Sequence, residues 1–443
     1  MLSKQRRSSV SMVRVFSVLS ILFCPSYIFA ASKDIHSLAA TMDILWIVIA
    51  AILVFFMQTG FALLESGLSR AKNAINVIMK NYVDICVGSL AFWFIGFGIM
   101  FGDNPSGWFG VTHFMVNDVS AKTFALLFFQ TMFAATAVTI ASGAMAERTH
   151  YNGYLVGAIF TTALIYPIFG SWAWGSLFTG KGWLAQMGFI DFAGSTVVHS
   201  IGGWVALAGI IVLGPRIGRF SSDGEIRSIP GHNLTYVAMG GFILWLGWFG
   251  FNAGSTAQAN DSIGQIALNT HMSAVAGAVS TLLGLIITRR ALSVSTIVNG
   301  SIGGLVAITA GCASMSPFFA IVTGFVAGFV VVLGQQILEA FRLDDVVGAV
   351  PTHGFCGAWG TLAVGMFKTG DLFSVTQITI QVVGIIAAFL WAFPAALIMY
   401  MIIHRAIGLR ASTVHEQRGL DFSEHSEMGY PEFQTQILHK GRH

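Results

Sequence analysis

Charge is what this sequence has least of. Only 10% of its 443 residues are Asp, Glu, Lys or Arg, whereas a soluble domain carries about 25%. With 55% hydrophobic residues and a mean hydropathy of +0.74, such a chain would aggregate in water. Its solvent must largely be lipid. Cysteine is scarce as well: Cys24, Cys86, Cys312 and Cys356 stand at separations that fit no zinc or redox motif, and no disulfide is expected. The net charge of +3 includes no basic stripe that would suit nucleic acid. A Walker sequence, a nucleophile elbow and an H-E-x-x-H run are all missing, so nothing points to an enzyme or a cofactor. Glycine is plentiful at 50 residues, and in membrane helices small residues let backbones approach closely.

Residues 1–31 read as a cleaved secretory signal. Lys4, Arg6 and Arg7 form a basic start, Val15 to Phe29 is mostly apolar, and Ala30, Ala31 and Ser32 suit cleavage. The alternative is an uncleaved first span.

Beyond the signal, eleven apolar runs are long enough to cross a bilayer as helices. They fall at about 43–66, 80–101, 122–146, 152–175, 192–213, 233–254, 264–288, 294–313, 316–338, 351–367 and 375–403. Runs this long exclude a membrane barrel, and the predicted class is an all-α polytopic membrane protein. If residue 33 starts outside, ten basic residues, Lys80 among them, fall in cytoplasmic loops and only Lys122, Lys181 and Lys368 outside. That bias predicts the N-terminus out and the C-terminus in. The membrane domain spans 32–403, and 404–443 form a cytoplasmic tail.

A faint repeat runs through the chain. T-V-V-H-S-I-G-G-W-V (196–205) and V-P-T-H-G-F-C-G-A-W (350–359) each place one His before glycines and a Trp. G-F-A-L-L-E-S (60–66) has a weaker counterpart in G-F-N-A-G-S-T (250–256). Five-helix units inside 43–213 and 233–367, followed by a final helix at 375–403, would be inverted relative to each other. Inverted repeats in transporters place their site at the repeat interface.

His199 and His353 lie deep in apolar runs, where an ionisable group is costly and marks function by default. A single such histidine could equally be a hydrogen-bonded core residue. Two at equivalent positions of inverted halves should meet near the pseudo-axis and could share a proton. Phe133, Trp174 and Phe251 fall in the outer halves of their spans, where aromatic faces attract small cations; packing is the alternative for each ring. Ser255 could accept a hydrogen bond from a donor-rich substrate. Asp191 should cap the helix that follows, and could also bias an outer vestibule toward cations. Asp344 and Asp345 read as solvated loop, and His271 as packing. Glu65 could cap its helix, pair with Arg70 or line a vestibule.

At these residues the chain resembles the Amt/Mep/Rh ammonium transporter family, on its Amt branch, over about 40–430. The resemblance rests on D-F-A-G-S-T-V-V-H (191–199), W-F-G-F-N-A-G-S (248–255), G-A-M-A-E-R (143–148), H-G-F-C-G (353–357) and the tail segment G-L-D-F-S-E-H-S-E (419–427). It implies a homotrimer in the cell membrane with one pore per subunit, and a cytoplasmic face that a PII-type regulatory protein can block. It assigns Phe133, Trp174 and Ser255 to an outer ammonium site, and Phe133 and Phe251 to a gate. It makes His199 and His353 the pore-lining relay and Asp191 the support of the recruitment site. Leu64 stands where many bacterial members have an aromatic residue, and F-A-L-L-E-S-G-L-S-R-A-K-N (61–73) is closer to a subgroup shared by plant and cyanobacterial members. The expected function is ammonium transport, with methylammonium as an analogue. An ammonium-sensing receptor that does not conduct is the alternative.

Overall fold

The computed structural model describes residues 9–431. Among them nine helices are long and apolar enough to cross a bilayer. They begin with α1 (Ser9–Leu68, apolar from Ile35), α2 (Ala71–Phe101), α3 (Ala121–Ala144), α4 (Tyr151–Ala173), α5 (Ser195–Leu213) and α6 (Leu234–Gly254). Then come α7 (Ser262–Ile287), the shorter α8 (Val294–Ile308), α9 (Pro317–Ala340), the shorter α10 (350–367) and α11 (Val375–Ala406). No sheet forms among the described residues, only isolated bridges. A helix satisfies every backbone group within its own segment, which is what lipid demands. The expected signal segment enters α1 at Ser9, and its first residues lie outside the described ones.

Helix starts follow the polar residues. Ser120 Oγ accepts from Thr123 N at 3.1 Å, and Asn233 Oδ1 accepts from Tyr236 N at 3.1 Å. Such caps satisfy donors that the first turn leaves free. Several boundaries differ from expectation: α1 runs from Ser9 rather than from 43, and α8 ends at Ile308 rather than near 313. The second helix begins at Ala71, not near 80, because Lys80 and Asp84 are taken inside the bundle, each 1% exposed. Lys80 is therefore not a loop charge.

Equivalent helices of the two expected repeats pack on each other. α1 lies along α6 with little side chain between them: a Cβ added at Gly240 would stand 2.6 Å from Gly60 O. α5 crosses α10 in the same way at Gly203, where an added Cβ would meet Gly354 N at 2.4 Å.

Most of the basic loops close into an ion-pair network at one end of the bundle. Glu147, fully buried and at φ +72°, bridges Arg70 and Arg216; the Arg216 contact is 2.6 Å. Arg216 also pairs with Asp344 at 2.8 Å. Asp344 is thus buried and paired, and the expectation of a solvated loop fails because its partner is far away in sequence. Burial alone would raise the Asp344 and Glu147 carboxyls, but the neighbouring arginines hold both below the usual carboxylate range. Two short tail helices, α12 (Thr413–Arg418) and α13 (Leu420–His425), complete this end. Lys72 Nζ donates to Glu416 O at 2.8 Å, Asn76 N to Asp421 Oδ1 at 2.8 Å, and Leu420 N to Asn73 Oδ1 at 2.9 Å.

Candidate functional site

Two aspartates set the starts of the two histidine helices. Asp191 accepts from the N–H groups of Gly194, Ser195, Thr196 and Val197 at 2.7–3.0 Å. Asp345 accepts from Gly348 N at 2.9 Å and Val350 N at 2.8 Å. Gly194 (φ +110°) and Gly348 (φ +77°) turn the chain into these caps through a left-handed conformation that favours glycine. Both helices then open with a π-wound turn, Ser195–Ser200 and Val350–Phe355, which ends at or just past the histidine. The Asp-to-Gly and Asp-to-His spacings are the same in the two halves: Asp191, Gly194, His199 against Asp345, Gly348, His353. Asp345 is therefore a helix cap and not solvated loop. The shared spacing is a signal the sequence carried in plain view.

The histidines meet. His199 Nδ1 lies 3.2 Å from His353 Nδ1, with both rings buried and tilted 27° to each other. A hydrogen bond between two like nitrogens needs one protonated and one bare, so the pair holds one proton in common. His199 Nε2 is buried with no partner among the described residues. The His199 ring lies on Trp248 at 4.9 Å and 20°, and Trp248 is itself fixed by Nε1 donating to Thr309 Oγ1 at 2.9 Å.

The aromatic residues gather on the side of the pair toward the end opposite the ion-pair network. Phe133 and Phe251 stack at 3.9 Å and 18°, both fully buried, and Phe251 lies 5.2 Å from the His199 ring. Trp174 presents an edge to Phe133 at 6.3 Å, and its Nε1 donates to the Asp191 backbone carbonyl at 2.7 Å. Asp191 thus caps α5 with its side chain and holds Trp174 with its backbone. Ser255 Oγ donates to Phe251 O at 2.8 Å, which leaves its lone pairs as acceptors. The sequence reading missed Gln130, one turn before Phe133, whose buried Oε1 has no partner among the described residues.

Toward the ion-pair end, a small cavity of about 20 Å³ is lined by His353, Thr352, Phe61, Leu64, Glu65 and Gly348, among others. It shares Asn299, Val347 and Gly348 with a vestibule of about 560 Å³ that Arg216, Arg290, Glu339 and Asp345 help to line. Of the three roles open to Glu65, lining this cavity is the one observed, since Arg70 pairs with Glu147 instead. His271, expected to pack, is exposed on α7 of the single chain, with the Trp245 ring at 5.3 Å. Among the described residues no group of three or more His, Cys, Asp or Glu is placed to hold a metal.

The sequence model described as the Ammonium Transporter Family matches residues 45–430. Ammonium transporter Amt2 of Archaeoglobus fulgidus is 44% identical over 420 residues, covering 88% of this chain and 89% of that protein. Ammonium transporter 1 member 3 of Solanum lycopersicum is 36% identical over 439 residues, covering 89% of this chain and 94% of that protein. Among solved structures, one titled Sensor Amt Protein matches with a TM-score of 0.85 at 39% identity, over 88% of this chain and 100% of that one. The crystal structure of Candida albicans Mep2 matches with a TM-score of 0.78 at 26% identity, over 84% of this chain and 87% of that one.

Proposed function

We propose that this chain, which belongs to the ammonium transporter family, recruits ammonium at an outer aromatic site, removes one proton, and passes ammonia through a pore lined by His199 and His353. Ammonium as the substrate is supported by the named activity of the relatives, and a multi-pass place in the membrane by the apolar helices. The single observation that carries the mechanism is the Nδ1 to Nδ1 contact of 3.2 Å between two buried histidines.

The chemistry follows from solvation. An intact ammonium ion in an apolar pore faces an idealised desolvation cost of tens of kcal/mol. Rings at Phe133 and Trp174 and the acceptor lone pairs of Ser255 replace part of its water shell. Loss of one proton removes most of the remaining penalty, and neutral ammonia then finds hydrogen-bond partners in the histidines. Potassium has no proton to give up, so it stops at the stacked Phe133 and Phe251. The shared proton of the histidine pair provides a route for the released one, which makes net movement electrogenic. Further parts of the proposal rest on the family resemblance: a homotrimer, placement in the cell membrane with the ion-pair end in the cytoplasm, and a PII-type partner at that end.

The test is the transient current in proteoliposomes after a jump in ammonium at fixed pH. A saturable current that potassium does not evoke is expected. Replacing either histidine by Ala should abolish the current or admit potassium, and unchanged selectivity in both variants would remove the proton route. A second reading, sensing without conduction, is favoured by the likeness to the structure titled Sensor Amt Protein. It predicts ammonium binding with no current.

A further inference from the structure

Three ionisable side chains that the mechanism above does not use are buried together beside the pore. Glu65 on α1 and Lys80 and Asp84 on α2 are each 1% exposed. Asn81 Nδ2 donates to Glu65 Oε2 at 2.9 Å, Lys80 Nζ donates to Ser142 O at 3.0 Å, and Tyr154 Oη donates to Asp84 Oδ2 at 2.6 Å. Three buried polar atoms within the cluster make no well-formed hydrogen bond among the described residues: Asn81 Oδ1, Ser142 Oγ, which lies near Glu65, and Asp84 Oδ1, which lies near Thr139. Unpaired polar atoms are rare in a folded interior and mark places where water or a mobile proton is accommodated. Glu65 also lines the same small cavity as His353. The space for its carboxyl is made by Gly143, where an added Cβ would come within 2.9 Å of Glu65 Cδ.

We propose that Glu65 carries the proton at the inner mouth of the pore, taking it from the histidine pair and returning it to ammonia in the cavity the two share. This rests on the proton route proposed above. In the first step the proton released by ammonium forms an N–H bond on the histidine pair, another histidine N–H bond breaks, and a Glu65 O–H bond forms. In the second that O–H bond breaks, an N–H bond forms on ammonia, and ammonium leaves through the vestibule with the carboxylate restored. Charge balance favours this cycle. Two carboxylates and one ammonium group carry a formal charge of −1, so taking up one proton brings the buried cluster to neutrality. Lys80 and Asp84 are positioning residues here, since neither lines the cavity.

The experiment compares ammonium-evoked currents of full-length protein in proteoliposomes for the parent, Glu65→Gln, Glu65→Asp and the double variant Glu65→Gln/Lys80→Gln. Gln can still accept from Asn81 but cannot cycle a proton, so the maximal current should fall about tenfold or more. The half-saturating ammonium concentration, set at the outer aromatic site, should shift less than about twofold. Glu65→Asp should restore part of the current. The double variant keeps the formal charge of the cluster and should stay low; it replaces the single variant if that one fails to assemble. A Glu65→Gln current equal to the parent's overturns the inference, as does a double variant restored to the parent level, which would make the cluster a charge-balanced anchor only. Currents lost in Glu65→Gln but kept in both histidine variants would overturn the hand-over from the histidine pair together with the histidine route, and leave ammonium transport itself standing. A parent without current sinks both.

Discussion

The crossing of the two histidine helices invites a direct perturbation, Gly203→Ala. The added methyl carbon would stand 2.4 Å from Gly354 N and 2.5 Å from Gly354 Cα, both backbone atoms that cannot swing aside. Ordinary contact needs about 3.5 Å, so α5 and α10 must part by about 1 Å at this point. Gly203 is one turn past His199, and Gly354 directly follows His353. The same separation carries the Nδ1 atoms from 3.2 Å to beyond hydrogen-bond reach. Overpacking of this kind costs about 1–3 kcal/mol, which a large helical bundle survives. The expected outcome is a folded protein with a modestly lowered unfolding midpoint and a methylammonium uptake reduced far more than its stability. Gly264→Ala is the control: nothing lies within 4 Å of a Cβ at that exposed position on α7, and uptake should match the parent. A Gly203→Ala protein with parent uptake and full potassium exclusion would refute the idea that the histidine contact is needed.

Two further outcomes follow from the caps and the ion pairs. Asp191→Asn leaves one acceptor oxygen for four backbone N–H groups and turns an amide donor toward the others, which should cost about 3 kcal/mol in thermal unfolding and weaken ammonium recruitment by loosening Trp174. Glu147→Gln leaves the buried Arg216 short of a partner and should destabilise the ion-pair end by about 3–5 kcal/mol. The pH dependence has a definite sign. Burial pushes Glu147 up but Arg216 and Arg70 win, so its carboxyl in the folded protein titrates below the ordinary value. Its stabilisation is present at neutral pH and is lost as pH falls from the ordinary carboxylate range through that depressed value. A scan of unfolding midpoint against pH should show this acid loss in the parent and a weaker one in Glu147→Gln.

Much of the fold was legible because lipid leaves a chain few options. Apolar length marked the helices, and the position of His199 and His353 in two similar stretches foretold their meeting. The spans placed Phe133 and Phe251 only in their outer halves; that the two pair as a gate came from the family resemblance, and the rings do stack. What escaped notice were charges whose partners are remote in sequence. Lys80 looked like a loop residue because hydropathy records a charge and not the pocket around it. Asp344 looked solvated because Arg216 lies 128 residues away. Asp345 escaped because its match to Asp191 is one of spacing, while the residues between the shared positions differ almost entirely. His271 reads as packing by its place in an apolar span, yet in the single chain its ring is exposed beside Trp245.

The seam between Lys72, Asn73 and Asn76 and residues 416–421 joins an early turn to a late one. A ribosome releases these strands of the seam in that order, with hundreds of residues of membrane helix between them. The early turn therefore waits, its polar groups in contact with water, until residues 416–421 have been made. Closure at this face therefore follows synthesis of the helices in between, and a product cut short before residue 416 would betray itself by an unlatched early turn.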